Sequence, residues 1–189
     1  MYRKKLKRGV NSMIATNKYK LFVDMDGTIA TWKSAYSLEE ILQKNYFRDL
    51  PPYQEVVDAI RLIINCVPEI EVFSLSAYMP ENEYAVDEKN EWLDEYLPEI
   101  KKSNRIFVPC STSKSDAIGE KFLCIGLNPS FILLDDYSVN LNEWKNAHGL
   151  GIKLRNGING NSGTWKGHSI SRFSTAKEIA DKICEYVIR

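Results

Sequence analysis

Four short apolar runs punctuate the chain and each meets a polar residue at or near its end: KLFVD (20–24), IEVFSLS (70–76), RIFV (105–108) and FILLD (131–135). Continuous apolar runs of this length predict strands covered on both faces, as in a parallel sheet. Between the runs the apolar positions take on a period of 3.6. Val56, Ala59, Ile60, Ile63 and Ile64 predict a helix over 53–66, and Trp92, Leu93 and Tyr96 predict another over 88–97. A third is expected over 140–147. The last runs over 175–187, where Thr175 and Glu178 form a TxxE capping box and Ile179, Ile183 and Val187 line one side.

Strands alternating with helices predict an α/β fold with a mainly parallel, Rossmann-like sheet and right-handed crossovers. Two stretches depart from the alternation. Residues 29–53 follow the first strand and hold Trp32, Tyr36, Tyr46 and Phe47; they predict a small, mostly helical cap over the strand ends. Residues 149–171, rich in Gly and Asn, predict a fifth strand at the sheet edge and a hairpin-like loop.

Composition narrows the class. With 189 residues, 44% hydrophobic and 26% charged, the chain suits one globular domain. No apolar run approaches the roughly 18 residues of a membrane span, and no apolar segment of secretory type follows the basic N-terminus. The zero net charge is unevenly spread. Residues 1–20 hold seven of the 25 bases and no acid, so the remainder carries 18 bases against 25 acids. Residues 1–19 are therefore expected to form a basic, solvated tail ahead of a domain over 20–189, and nucleic acid is not an expected partner. Cys66, Cys110, Cys124 and Cys184 form no CxxC pair. Cys66, Cys124 and Cys184 read as small core fillers, and a reduced, cytoplasmic setting follows.

The strongest chemical signal is LFVDMDGT, 21–28. Ligands of open α/β sheets sit beyond the carboxyl ends of the strands, where this motif places Asp24 and Asp26. Gly27 permits a sharp turn that aims backbone N–H groups, those of Met25 and Gly27 among them, toward phosphate oxygens. Asp24 can then attack phosphorus. Asp26 can protonate the leaving oxygen and later deprotonate water. Carboxylates repel a phosphate, so a cation is required, and hard oxygen ligands favour Mg²⁺. Asp135 and Asp136, directly after four apolar residues, are costly to bury unless solvated or bound to such an ion. Ser76, with Ser74 as its competitor, offers a hydroxyl and the adjacent N–H of Ala77 to the phosphate. Lys114, in the CSTSKS loop, offers positive charge to the transition state. His148 and His168 have no partnering motif, GINGNSG (157–163) lacks the strand and helix of a phosphate loop, Trp144 and Trp165 read as packing residues, and Arg48 as half of a surface ion pair.

These residues resemble the haloacid dehalogenase-like hydrolase superfamily. Its four motifs are an apolar DxDGT/V, a strand-end Ser or Thr, a Lys and an acid pair; here they fall on Asp24–Thr28, Ser76, Lys114 and Asp135–Asp136. The likeness spans about residues 20–155. YFRDLPPYQEVVDAI (46–60), VFSLSAY (72–78), KNEWLDEYLP (89–98) and LLDDYSVNLNEWKNAHGLGIKLRN (133–156) are similar to the 5′(3′)-deoxyribonucleotidase branch. The resemblance implies Asp24 as nucleophile and metal ligand, Asp26 as acid/base with its carbonyl on Mg²⁺, Ser76 and Lys114 on the phosphate, and Asp135 and Asp136 completing the metal site, with the direct ligand left open between them. It implies a phosphomonoesterase for a small phosphorylated substrate, a nucleoside monophosphate foremost. The alternatives are a nucleic-acid-end or sugar-phosphate phosphatase and a non-catalytic nucleotide-binding regulator. Mammalian members of the branch have a larger cap, so the pocket here is expected to be open. Trp32, Tyr46 and Phe47 either stack on a base or form the core of the cap.

Overall fold

A computed structural model describes residues 18–33, 37–158 and 163–188. Six strands form one sheet: β1 (Tyr19–Val23), β2 (Ile70–Tyr78), β3 (Arg105–Pro109), β4 (Phe131–Asp135), β5 (Leu150–Arg155) and β6 (His168–Ser171). The order is β3-β2-β1-β4-β5-β6, and every pairing is parallel. Six α-helices accompany them among the described residues: α1 (Leu38–Ile41), α2 (Gln54–Cys66), α3 (Ala85–Tyr96), α4 (Lys114–Lys121), α5 (Ser138–Asn146) and α6 (Ala176–Val187), with one short 3-10 helix at Lys102–Asn104.

The period of two along the strands sends side chains to opposite faces. Leu21, Val23, Ile132 and Leu134 join one core, packed beneath α2, α3 and α6. Phe22, Phe73, Leu75 and Leu133 join the other, with Leu141, Trp144 and Trp165. Trp144 and Trp165 are thus packing residues, and their indole N–H groups donate to the carbonyls of Phe131 and His168. The Thr175–Glu178 capping box opens α6 as expected.

The strand order has one switch point. From β1 the chain moves to one side through β2 and β3, then returns to β4 on the other side of β1. Such a reversal opens a crevice at the carboxyl ends of the two strands that flank it. Asp24 follows β1 directly, and Asp135 ends β4.

Several boundaries differ from expectation, for identifiable reasons. The sheet has six strands rather than five. β6 reads HSIS with only Ile170 buried, so no apolar run announces it. α4 is an added helix; its opening Lys-Ser-Asp is polar and reads as loop, so Lys114 stands on the first turn of a helix instead. Residues 29–53 carry one helix of four residues, α1, with turns through 42–49 among the described residues. Cys66 is exposed at the end of α2, whereas Cys124 and Cys184 pack against the cores. Tyr19 already opens β1. The rest of the basic segment up to residue 17, Tyr36, and residues 159–162 of the Gly-rich stretch lie outside the described residues.

Candidate active site

The turn after β1 is built by backbone hydrogen bonds. The N–H groups of Thr28, Ile29 and Ala30 all converge on the carbonyl of Met25. Gly27 takes φ +78°, a conformation that suits glycine. Its missing side chain also matters: a Cβ there would lie 2.6 Å from Asp136 Oδ2. The Gly27 N–H is committed to the carbonyl of Ala30, so it is not available to a ligand. The N–H groups of Met25 and Asp26 have no acceptor among the described residues. Ala77 adds a third: Tyr78 O accepts from Cys110 N on the β3 side, and alternation along the strand turns the Ala77 N–H to the opposite edge, beyond the end of β1.

Three carboxylates meet at this edge. Asp24, Asp135 and Asp136 each offer an oxygen within 4.8 Å of the others, and all three are buried. Lys114 enters from α4. Its Nζ donates to Asp24 Oδ1 at 2.6 Å and to Asp135 Oδ2 at 2.7 Å. The two members of the acid pair differ in their surroundings. Asp135 also accepts from Asn140 Nδ2 and from the N–H of Tyr137. Asp136 faces the cavity, and its Oδ2 accepts from Asn156 Nδ2 at 2.8 Å. The same Asn156 nitrogen donates to the Gly27 carbonyl at 2.8 Å, which ties the β1 turn to the end of β4. Lys153, buried behind them, donates to the Asp136 carbonyl and to Ser138 Oγ.

Electrostatics follow from this crowding. Burial, aided by the charges of Asp135 and Asp26, raises the Asp24 carboxyl to about 7 against the opposing pull of Lys114. Burial and the Asp135 charge raise Asp136 to about 6. Lys114 moves the other way: its two carboxylate partners outweigh its burial and hold its proton more tightly. Three carboxylates against one ammonium leave the cluster short of positive charge. The hard oxygen donors and the cavity-facing Asp136 fit a small divalent cation such as Mg²⁺.

The cavity beside the cluster has a volume of about 300 Å³ and is lined by Asp24, Asp26, Trp32, Ala77, Lys114, Asp136, Tyr137 and Asn140. Of the three aromatic candidates, Trp32 stands half-exposed at this cavity. Tyr46 and Phe47 do not line it: they are 8% and 6% exposed, pack edge to face against each other and join the core shared with α2, α3 and α6. Ammonium groups already sit over their rings, that of Lys33 over Tyr46 and that of Lys89 over Phe47. Ser76 lies beyond the end of the β1–β2 ladder, whereas Ser74 pairs with Val23 inside it and is covered. The Ser76 hydroxyl does not line the cavity either; it accepts from Lys89 Nζ at 3.0 Å. His148 and His168 stand away from the cluster, His168 stacked on Tyr186, and Arg48 pairs with Glu91 and Glu95 at the surface.

Sequence reasoning missed several buried polar residues, Lys153 among them. Glu88 accepts from the N–H groups of Asn45 and Phe47, and Lys89 reaches Asp26 and Ser76. Asn156 spans the two strand ends. Their only signal in the sequence is two charges, Glu88 and Lys89, on the inner face of a predicted helix beside Trp92.

A parallel sheet reversing at β1, with a DxDGT turn and an acid pair across the switch point, defines a phosphatase of the haloacid dehalogenase-like class. The comparisons agree. The profile of the family described as 5′ nucleotidase, deoxy (Pyrimidine), cytosolic type C protein matches residues 31–162, a span that includes Ser76, Lys114, Asp135 and Asp136 and begins just after the Asp24–Thr28 turn. The chain belongs to this family and is a 5′-nucleotidase-like phosphatase. Among solved structures, the D,D-heptose 1.7-bisphosphate phosphatase from B. bronchiseptica, complexed with magnesium and phosphate, shares the fold at TM-score 0.60 and 10% identity, covering 88% of this chain and 98% of its own. The DsGPDH of Dunaliella salina aligns at TM-score 0.44 and 16% identity over 71% of this chain and 23% of its own, a likeness too slight to carry an argument. No curated protein matches the chain. Among the described residues no helix is long and apolar enough to cross a membrane.

Proposed function

We propose that the protein is a Mg²⁺-dependent phosphomonoesterase that releases phosphate from nucleoside or deoxynucleoside monophosphates, with residues 29–53 as a small cap over an open pocket. The observation that carries this reading is the convergence of Asp24, Asp135 and Asp136 on one point beside Lys114, at the mouth of a cavity. The heptose bisphosphate phosphatase of the same fold was solved with magnesium and phosphate, which supports the choice of ion.

In this reading Asp24 attacks phosphorus. An O–P bond forms as the ester O–P bond breaks, and Asp26 passes a proton to the departing oxygen. Water then attacks the phosphorus of the aspartyl-phosphate, Asp26 takes its proton, and the Asp24 carboxylate is restored as phosphate leaves. Lys114 and the N–H groups of Met25, Asp26 and Ala77 face the phosphoryl oxygens on which charge accumulates. Asp24, Asp136 and the Asp26 carbonyl would hold Mg²⁺, with Asp135 held back by its three hydrogen bonds. When bound, the ion supplies charge neutralisation between carboxylates and phosphate. Trp32 and Tyr137, both partly exposed at the cavity, would flank the planar base of the leaving nucleoside.

The test is phosphate release from a panel of nucleoside monophosphates and sugar phosphates, with Mg²⁺ and with chelator, beside Asp24→Asn. Release from nucleotides that needs Mg²⁺ and disappears in Asp24→Asn supports the reading. Turnover confined to sugar phosphates overturns the substrate assignment, and no turnover of any ester overturns the enzyme reading.

A further inference from the structure

Lys89, on α3, shares with Lys153 the deepest burial of the ammonium groups beside the site, each 1% exposed. A lysine is rarely enclosed to this degree unless its charge is matched. Here three groups match it. Its Nζ donates to Asp26 Oδ2 and to Ser76 Oγ, and it sits over the Phe47 ring, 4.3 Å from the centroid. Among the described residues Asp26 Oδ1 accepts no hydrogen bond, and Asp26 lines the cavity. One carboxylate oxygen is therefore anchored while its twin is left to the cavity.

We propose that Lys89 is a positioning residue for Asp26: by holding Oδ2 against α3 it fixes the carboxylate rotamer that aims Oδ1 at the leaving-group oxygen. This rests on the reading of Asp26 as the proton donor. An unanchored aspartate has a broad terminal torsion and would present either oxygen in many directions. Proton transfer needs the donor within hydrogen-bond reach of one particular atom. Lys89 does not line the cavity, so it acts through Asp26 rather than on the substrate. The position of Ser76 fits the same arrangement, since its hydroxyl fixes the ammonium from the strand side.

Leaving-group chemistry separates this role from a merely structural one. A nucleoside 5′-oxygen is a poor leaving group and needs a proton as it departs; p-nitrophenolate leaves well without one. The experiment measures kcat/KM for a deoxynucleoside monophosphate and for p-nitrophenyl phosphate in wild type, Lys89→Met, Lys89→Gln, Asp26→Asn and the Lys89→Met/Asp26→Asn double variant. Lys89→Met is expected to lose about 10- to 100-fold on the nucleotide, less than the roughly 10²- to 10⁴-fold of general acid–base catalysis itself because Asp26 remains, and less than about threefold on the nitrophenyl ester. In the Asp26→Asn background the Lys89 change is expected to add nothing. The ratio of the two substrates is taken on one sample, so an unfolded fraction cancels, and Lys89→Gln repeats the reading with a polar side chain. Equal losses on both substrates, or a Lys89 effect undiminished in Asp26→Asn, overturns the proposal. A wild type inactive on both esters would instead overturn the proposed function itself.

Discussion

Replacing Asn156 by alanine tests how far one neutral side chain holds the acidic edge together. Asn156 is 4% exposed, and its Nδ2 donates both to Asp136 Oδ2 and to the Gly27 carbonyl at 2.8 Å. The first bond reaches an acid and the second a neutral carbonyl, and the change removes both. Hydrogen bonds to charged groups contribute about 1.5–3 kcal/mol and neutral ones about 0.5–1.5 kcal/mol, so a loss of roughly 2–4 kcal/mol is expected. For a domain of this size that lowers Tm by roughly 5–15 °C. Because the same amide orients Asp136, Mg²⁺ affinity should fall about 10- to 100-fold, as for other groups that orient metal ligands. Urea unfolding without metal gives the first quantity, and Mg²⁺ titration calorimetry gives the second. Asn156→Asp, which puts an acceptor and a further charge against Asp136, should be at least as unstable without the ion. A destabilisation of less than about 1 kcal/mol together with unchanged Mg²⁺ affinity would refute the reasoning, since it rests on the net value of such bonds.

Two further outcomes are expected. Asp24 and Asp136 hold their protons to about 7 and about 6 in the fold, whereas in the unfolded chain they lose them near the ordinary aspartate range. The native state thus binds more protons across this window, and metal-free stability should fall as pH rises from about 5 to 7.5. Tm should follow it, Asp24→Asn should flatten the slope, and Mg²⁺ should raise Tm more at pH 8 than at pH 5; a metal-free Tm that rises over that range contradicts the assignment. Gly27→Ala combines a positive φ with a Cβ 2.6 Å from Asp136 Oδ2. It should cost at least ~2 kcal/mol in urea unfolding and shrink the Mg²⁺-induced shift in Tm, and a variant within ~0.5 kcal/mol of wild type would contradict it.

The parts of the molecule legible in the sequence are those whose physics is local. KLFVD and FILLD announce buried parallel strands because nothing polar interrupts them, and their terminal acids mark the edge at which ligands bind. The DxDGT turn is legible because glycine and two acids at fixed spacing seldom serve any other purpose at a strand end. β6 is not legible, since a four-residue edge strand buries one apolar side chain and relies on its pairing with β5. Tyr46 and Phe47 show the same limit. An aromatic residue near a predicted site reads alike whether it stacks on a ligand or fills a core, and tertiary packing alone decides for the core. Lys89 and Asn156 are invisible for a related reason. Their partners, Asp26 and the Gly27–Asp136 pair, are distant in the chain, and no spacing rule connects them.

The placement of β1 at the centre of the sheet has a bearing on biosynthesis. Tyr19 pairs with Ile70, and Lys20 pairs with Phe131, so β1 leaves the ribosome before both of the strands it pairs with. Such distant pairings slow folding and leave strand edges open meanwhile. A nascent chain that has emerged only to residue 125 carries Asp24, Asp26 and Lys114 but not the β4 acids, and the three carboxylates cannot yet meet. A chain released early would therefore be unable to assemble the cluster, whatever its local structure.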